Sequence, residues 1–331
     1  MPPLTAEGPY FDELTVGQQF SGAPGVTLTA GLAAARQAIV GDRLALALDH
    51  ALGRQVTGAG PLAPPGLVWD VAIGQSTIVT QHVKANLFYR GLAFRRLPLL
   101  GDTLRTTTEV VALRQNRPRE GRAPTGLVAL RITTTDQTGR LVLDFWRCAM
   151  LPLRDPAAGT AHADDLDGIG GQAAAADYAS LITGWRLDAF AARRDGRGPA
   201  DLQPGLSFEV AGADVVTSAP ELARLTVNIA AVHHDAAAAG GRRLVYGGHT
   251  IGLALAQAAR AVPALVTVAG WHGCDHLGPV HEGDTLRSTV SVERVEYLPA
   301  GGGLAHLRSV VRADGDPPRD VLDWRFVAVV A

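Results

Sequence analysis

The sequence predicts an α+β chain made of one unit written twice, each copy a long apolar helix laid against an antiparallel sheet. Two observations carry this. Three short segments recur in the same order with a nearly constant offset, and each half runs from helical patterning into a series of β-branched stretches. Leu100-Gly101-Asp102-Thr103-Leu104-Arg105-Thr106-Thr107 returns as Glu282-Gly283-Asp284-Thr285-Leu286-Arg287-Ser288-Thr289. Val142-Leu143-Asp144-Phe145 returns as Val321-Leu322-Asp323-Trp324, and Leu14 to Phe20 matches Leu202 to Phe208 around a glycine turn. One such match arises easily by chance; three in register indicate a duplication.

Each element has a local reason. After the glycine turn, helical patterning covers Ala30 to Ile39 and, in the second copy, Ala219 to Ile229, with Thr29 and Ser218 as candidate caps. A turn marked by Gly or Pro leads into the long apolar helix, Gly66 to about Val79 and Gly248 to about Val262. Strand patterning bounded by turn residues covers Thr103 to Leu113, Gly126 to Thr135 and Arg140 to Pro152. Its counterparts are Thr285 to Tyr297, Gly303 to Ala313 and Arg319 to Val329. Between the copies, Ala, Gly and Asp clusters suit a linker with one short helix around Tyr178 to Arg194. The expected division is 1–154, a linker at 155–199, and 200–331.

Composition narrows the function. A chain of 331 residues, 47% hydrophobic and 19% charged, suits two soluble domains of ordinary size. A formal net charge of -2 gives no reason to expect nucleic acid as a partner. The basic residues are almost all arginine, Lys84 being the one lysine, which reflects genome composition rather than function. Cys148 and Cys274 cannot make a disulfide framework and fit a reducing compartment. Met1 to Glu7 lacks a basic segment followed by an apolar run, so no secretory signal is expected. The most apolar stretch, Ile251 to Ala269, is broken by Gln257, Arg260 and Pro263 and reads as a buried helix leading into a strand rather than a membrane span. A cytoplasmic location is the expectation.

The strongest chemical signal is Thr226-Val227-Asn228-Ile229-Ala230-Ala231-Val232-His233-His234-Asp235, followed by Leu244-Val245-Tyr246-Gly247-Gly248-His249-Thr250 at the head of the second apolar helix. Here the chain resembles the MaoC-like dehydratases and the R-specific (type 2) enoyl-CoA hydratases. Their motif is an acidic or amide residue, four intervening residues, then His-x-Asp, with a glycine turn opening the helix. Asn228, His233 and Asp235 fill these positions. The commoner pattern has Asp where Asn228 stands; Asn also occurs there in tandem-hotdog relatives that resemble mesaconyl-CoA hydratase, and this resemblance points to short branched dicarboxylic acyl-CoAs such as mesaconyl-CoA.

That resemblance implies two tandem hotdog folds, each a sheet wrapped around its central helix, and reversible addition of water to a 2-enoyl-CoA. It implies no metal and no organic cofactor, coenzyme A entering only as part of the substrate. The residue types suit the reaction. A neutral histidine near its ordinary pKa can take a proton from water and return it at carbon 2. A carboxamide can hold the water but cannot act as base, so His233 must do more of the acid–base work than in an Asp–His enzyme. The N–H groups of Gly247 or Gly248 at a helix N-terminus would stabilise the growing charge on the thioester oxygen. Glycine there would let the thioester reach the backbone. Tyr246 and His249 are candidate substrate contacts, and His234 is expected to be an exposed neighbour.

The first copy lacks the pair. Asp42 is its nearest match to Asn228, but Ala47 follows at the histidine position, and Ala63-Pro64-Pro65-Gly66 replaces the glycine turn. By resemblance this half would hold the acyl or CoA portion, with Arg90, Arg95 and Arg96 as candidates for CoA phosphates or a substrate carboxylate. Two further patterns are set aside. His272, Cys274 and His276 would share one face of a strand, but no second ligand pair stands at zinc-site spacing. Gly168-Ile169-Gly170-Gly171-Gln172 lies in the linker, not between a strand and a helix. A hotdog thioesterase, directing water at the carbonyl carbon, and a catalytically degenerate acyl-CoA-binding subunit remain alternatives. Two hotdogs in one chain can pair internally, and a further homodimer is open.

Overall fold

The computed structural model describes residues 6–171, 177–299 and 301–331. The first half contains strands β1 (Gln19–Phe20) and β2 (Val26–Thr27), helices α1 (Ala30–Val40), α2 (Ala45–Leu48), α3 (His50–Thr57) and α4 (Pro65–Gln75), and strands β3 (Ala85–Phe94), β4 (Thr103–Gln115), β5 (Thr125–Thr135) and β6 (Leu141–Pro152). A short helix α5 (Leu187–Ala191) lies in the connecting segment. The second half repeats the plan with β7 (Ser207–Glu209), β8 (Asp214–Val215), α6 (Ala219–Leu225), α7 (Gly247–Ala261), β9 (Leu265–His276), β10 (Thr285–Tyr297), β11 (Gly303–Ala313) and β12 (Arg319–Val330).

The long strands form one antiparallel sheet in the order β1-β4-β5-β6-β3-β9-β12-β11-β10-β7. Read from its centre outward, each half has the same order, so the sequence duplication is also a duplication in space. The recurring Gly-Asp-Thr-Leu-Arg segments open β4 and β10, and the Val-Leu-Asp segments lie in β6 and β12. The two copies join at β3 and β9, which pair Tyr89 with Cys274 and Leu92 with Trp271. This is the double hotdog fold.

Each half encloses its helix in its sheet. Every residue of α4 is buried, and α7 is buried from Gly248 to Ala258. Apolar residues occur on every side of α4, and its polar side chains Asp70 and Gln75 are hydrogen-bonded inside the protein, so the helix has no face to offer water. Trp69 of α4 packs against Trp271 of β9 at 4.9 Å and Trp324 of β12 at 6.3 Å, measured between ring centroids. A single cluster of buried side chains therefore crosses from one half to the other.

Three details differ from the sequence reading. Thr29 caps α1 by accepting from the Leu32 N–H, but Ser218 sits in the left-handed region (φ 57°) and its side chain caps nothing. The helix expected to reach Ile229 stops at Leu225, and Val227 has a φ of 54°. That conformation is strained for a β-branched residue and recurs where function requires it. The helix expected around Tyr178 to Arg194 is two pieces, a 3₁₀ turn at Ser180–Ile182 and α5.

Candidate active site

A cavity of about 350 Å³ opens between the halves at the head of α7. Asn228, His233, Tyr246 and Gly247 line it from the second half; Thr80, Lys84, Tyr89 and Arg147 line it from the first. Its floor is apolar, with Ile73, Val232 and Val245 among the contributors.

The strained turn at Val227 has a visible purpose. It carries the chain from α6 to Asn228, which is only 2% exposed and faces the cavity. The first half supports this segment. Ile229 N–H donates to the Thr77 hydroxyl at 2.9 Å, and Ala231 N–H donates to the Gln81 carbonyl at 2.8 Å. Gly74 of α4 lets the Thr226 carbonyl lie against its backbone, since a Cβ there would stand 1.8 Å from that oxygen.

Asn228 Oδ1 accepts from the Ala230 N–H at 3.0 Å. That bond requires the oxygen at that position, so the amide's other polar atom is the donor Nδ2. His233 is held by a bond of 2.9 Å between Nδ1 and the Leu244 carbonyl. A carbonyl only accepts, so Nδ1 carries the proton and Nε2 has the free lone pair a base needs. Burial, offset in part by that carbonyl, lowers the His233 pKa to about 4. The imidazole is thus neutral at physiological pH, but its pKa is not the ordinary value expected from sequence.

Other members of the motif do different work. His234 is not an exposed neighbour: its Nε2 donates to the Asn228 carbonyl at 2.6 Å and fixes that backbone. Asp235 accepts from the Ala237 N–H at 2.8 Å, shaping the following turn. Gly247, the first residue of α7, lines the cavity, and the N–H groups opening a helix have no partner within it. Gly248 lies behind it. Its glycine identity is set by the protein's own packing, because a Cβ would stand 2.2 Å from Asp70 Oδ1 and 2.5 Å from the Tyr246 ring. At Gly247 a Cβ would meet His276 Nε2 at 2.5 Å, so again the neighbour is the chain itself rather than a ligand.

His249 does not reach the cavity. It is 0% exposed, both ring nitrogens lack partners among the described residues, and burial lowers its pKa to about 4. The arginines expected to meet substrate are also elsewhere. Arg96 pairs with Asp136 at 2.6 Å and Asp102 at 3.2 Å, and Arg95 lies 3.9 Å from Asp144. Arg90 donates to the carbonyls of Asp167 and Ile169, tying down the glycine-rich linker turn. Gln172 lies outside the described residues.

Sequence reasoning missed much of the wall, including Thr80, Tyr89, Arg147 and His276. His276 had been grouped with His272 and Cys274 on one strand face. A bulge in β9 breaks that alternation, for Phe326 pairs with Trp271 and the adjoining Arg325 with Gly273. His272 turns outward against His306 at 2.7 Å, while His276 faces the cavity. Among the described residues no cluster of three or more His, Cys, Asp or Glu side chains could hold a metal. Nor is any helix there long and apolar enough to cross a membrane.

A second cavity of about 320 Å³ opens at the head of α4, lined by Arg36, Asp42, Ala47, His50 and Pro64 among others. Asp42 is already engaged there, accepting from Arg36 at 3.2 Å and from the Leu44 N–H at 3.0 Å.

Fold and site together define a tandem hotdog protein with one histidine–carboxamide cavity at the head of its second central helix. No family model matches the chain. It is similar to a conserved hypothetical protein of Mycobacterium tuberculosis with a double hotdog fold: 56% identity, TM-score 0.91, 97% of this chain and 98% of that one. It is 29% identical to mesaconyl-CoA hydratase of Cereibacter sphaeroides, over 95% of this chain and 92% of the relative. It is 26% identical to beta-methylmalyl-CoA dehydratase of Chloroflexus aurantiacus, over 95% and 90% respectively. The chain therefore belongs with the double-hotdog proteins, as its 56% identical relative does, and is similar over nearly its whole length to a hydratase and a dehydratase.

Proposed function

We propose that the protein is a hydro-lyase that reversibly adds water to a 2-enoyl-CoA, with a short branched dicarboxylic acyl-CoA such as mesaconyl-CoA as the substrate type. The observation that carries this reading is the tautomer of His233, whose Nδ1–H is bound to the Leu244 carbonyl and whose Nε2 is left as a base in a cavity shared with Asn228.

In the hydration direction, Asn228 Nδ2 donates to the attacking water and His233 Nε2 accepts one of its protons. The water oxygen bonds to carbon 3, and the π electrons move toward the thioester, giving an enolate. His233 then returns the proton to carbon 2. Gly247 brings the N-terminal end of the 15-residue helix α7 to the cavity, where its dipole favours a negative oxygen. Such a donor is typically worth about 3 kcal/mol of transition-state stabilisation. The first half supplies the other wall and no second catalytic pair. The reaction needs no metal or organic cofactor, and a cytoplasmic enzyme, alone or as a homodimer, is part of the same proposal.

Incubation with crotonyl-CoA and mesaconyl-CoA tests the reading. Loss of enoyl absorbance without thiol release is the expected result. Release of free thiol would assign a thioesterase instead, and tight binding without either change a non-catalytic acyl-CoA-binding subunit.

A further inference from the structure

Arg147, on β6, is 3% exposed and lines the active cavity. Its guanidinium donates from Nη2 to the Thr80 hydroxyl and, at 3.4 Å, to the Ser76 carbonyl. Its buried Nε has no partner among the described residues. No carboxylate among those residues lies within ion-pair distance, and burial pulls the guanidinium pKa down. The fold treats its other deeply buried arginine differently: Arg36 has Asp70 at 2.8 Å and Asp42 at 3.2 Å. A buried charge without a counter-charge is unfavourable, and proteins pair it or face it to a ligand. The rest of the wall sharpens the point. Lys84 stands at the exposed rim and no Asp or Glu lines the cavity, so its fixed charge is wholly positive.

We propose that Arg147 is the receptor for a carboxylate carried on the acyl group itself, and so sets preference for dicarboxylic over monocarboxylic enoyl-CoAs. This rests on the acyl-CoA reading above and adds the residue that selects the acyl group. The phosphates of CoA are separated from the reacting thioester by the whole pantetheine arm, and cannot reach a cation in the wall beside His233. The thioester oxygen becomes negative only during the reaction, and the end of α7 already serves it. A permanent buried cation calls for an anion present in the bound ground state. Arginine suits that task because its planar fork matches a carboxylate.

Mesaconyl-CoA and tiglyl-CoA provide the test, because they differ by a carboxylate in place of a methyl group. The two are compared in wild type, Arg147→Gln and Arg147→Lys, by kcat/KM for hydration and by calorimetric Kd on His233→Ala backgrounds. Wild type is expected to prefer mesaconyl-CoA on both measures. In Arg147→Gln that preference should fall by roughly 30-fold or more, as expected for removing one partner of a buried charge pair, and Arg147→Lys should recover part of it. Equal losses for both substrates, with the ratio preserved, would overturn the proposal and assign Arg147 to the thioester oxygen or to packing. The binding arm stands without turnover: if neither compound is hydrated the lyase reading fails, while a carboxylate-dependent Kd lost in Arg147→Gln still supports the receptor. Equal wild-type affinity for the two compounds sinks it.

Discussion

The hydroxyl of Tyr246, at the head of the second central helix, donates to Oδ1 of Asp70, in the middle of the first, at 3.2 Å. Both groups are buried, and the same carboxylate accepts from Arg36 Nε at 2.8 Å. Tyr246 also lines the active cavity, so a hydrogen bond between the halves positions a wall residue. Tyr246→Phe leaves the buried Asp70 oxygen one donor short, a loss of about 1–3 kcal/mol. Urea denaturation should show a lower midpoint with an unchanged slope and one transition for both halves. Two separate transitions would show that the halves are not coupled there.

His233→Ala removes the cavity-lining imidazole whose Nε2 lone pair is left free by the bond from Nδ1–H to the Leu244 carbonyl. The expected fall in kcat is about 10²- to 10⁴-fold, the usual range for a positioned acid–base group, with substrate Kd little changed. His233→Gln should be equally inactive while keeping the side chain's volume. Because burial lowers the His233 pKa to about 4, the acid limb of kcat/KM should fall near there rather than near 6.5. Turnover by His233→Ala close to that of wild type would remove the mechanism.

Gly74 lies far from His233 in sequence, yet a Cβ at Gly74 would collide with the backbone oxygen of Thr226, in the turn that presents Asn228. Gly74→Ala should therefore displace that turn. Overpacking of this kind costs about 1–3 kcal/mol, and on the proposed mechanism activity should fall more than stability because the displaced atoms border the Asn228 carboxamide. Comparing thermal midpoint with kcat separates the two effects. Wild-type values for both would mean that the contact is not tight.

How much of this was legible in the sequence depends on the kind of signal. The strands β10 and β11 were readable to the residue because turn residues bound both, and alternation runs through β10 as far as Val292 before a bulge shifts its register. Of the pair that joins the halves, β9 was anticipated as the strand after the apolar helix, but β3 was not. Strand β3 has register shifts between Asn86 and Phe88 and between Arg90 and Ala93, with Gly91 at a φ of 59°, and bulges of this kind erase a period of two. The bulge beside His272 likewise hid His276 as a cavity residue. Asn228 and His233 were found because motif spacing is local. Arg147 and Tyr89 were not, because they reach the site only through pairing of β3 and β6 and the junction with β9. The carboxylates of Asp102, Asp136 and Asp144 beside Arg95 and Arg96 were not legible, because they come together only in the folded sheet.

Buried histidines give the protein a pH-dependent stability whose sign can be worked out. His233, His249 and His276 each have a folded pKa of about 4, with burial as the largest cause. The ordinary value is 6.5, so between pH 6.5 and 4 the unfolded chain binds protons that the folded chain refuses. Stability then falls as pH falls through this window. Asp70 acts the other way. Burial raises its pKa to about 6, so from there down toward 3.8 the folded state holds a proton the unfolded state has released. Three histidine protons less one from Asp70 leave about two, a slope of roughly 3 kcal/mol per pH unit at its steepest, less in practice because His233 and His276 are partly open to the cavity. The thermal midpoint should thus drop clearly between pH 7 and pH 5. His249→Leu should reduce the slope by about one proton and stabilise the protein at pH 5, since both nitrogens of that ring are buried without partners among the described residues. A midpoint that stays level from pH 7 to pH 5 would mean that these imidazoles accept protons in the folded state as readily as in water.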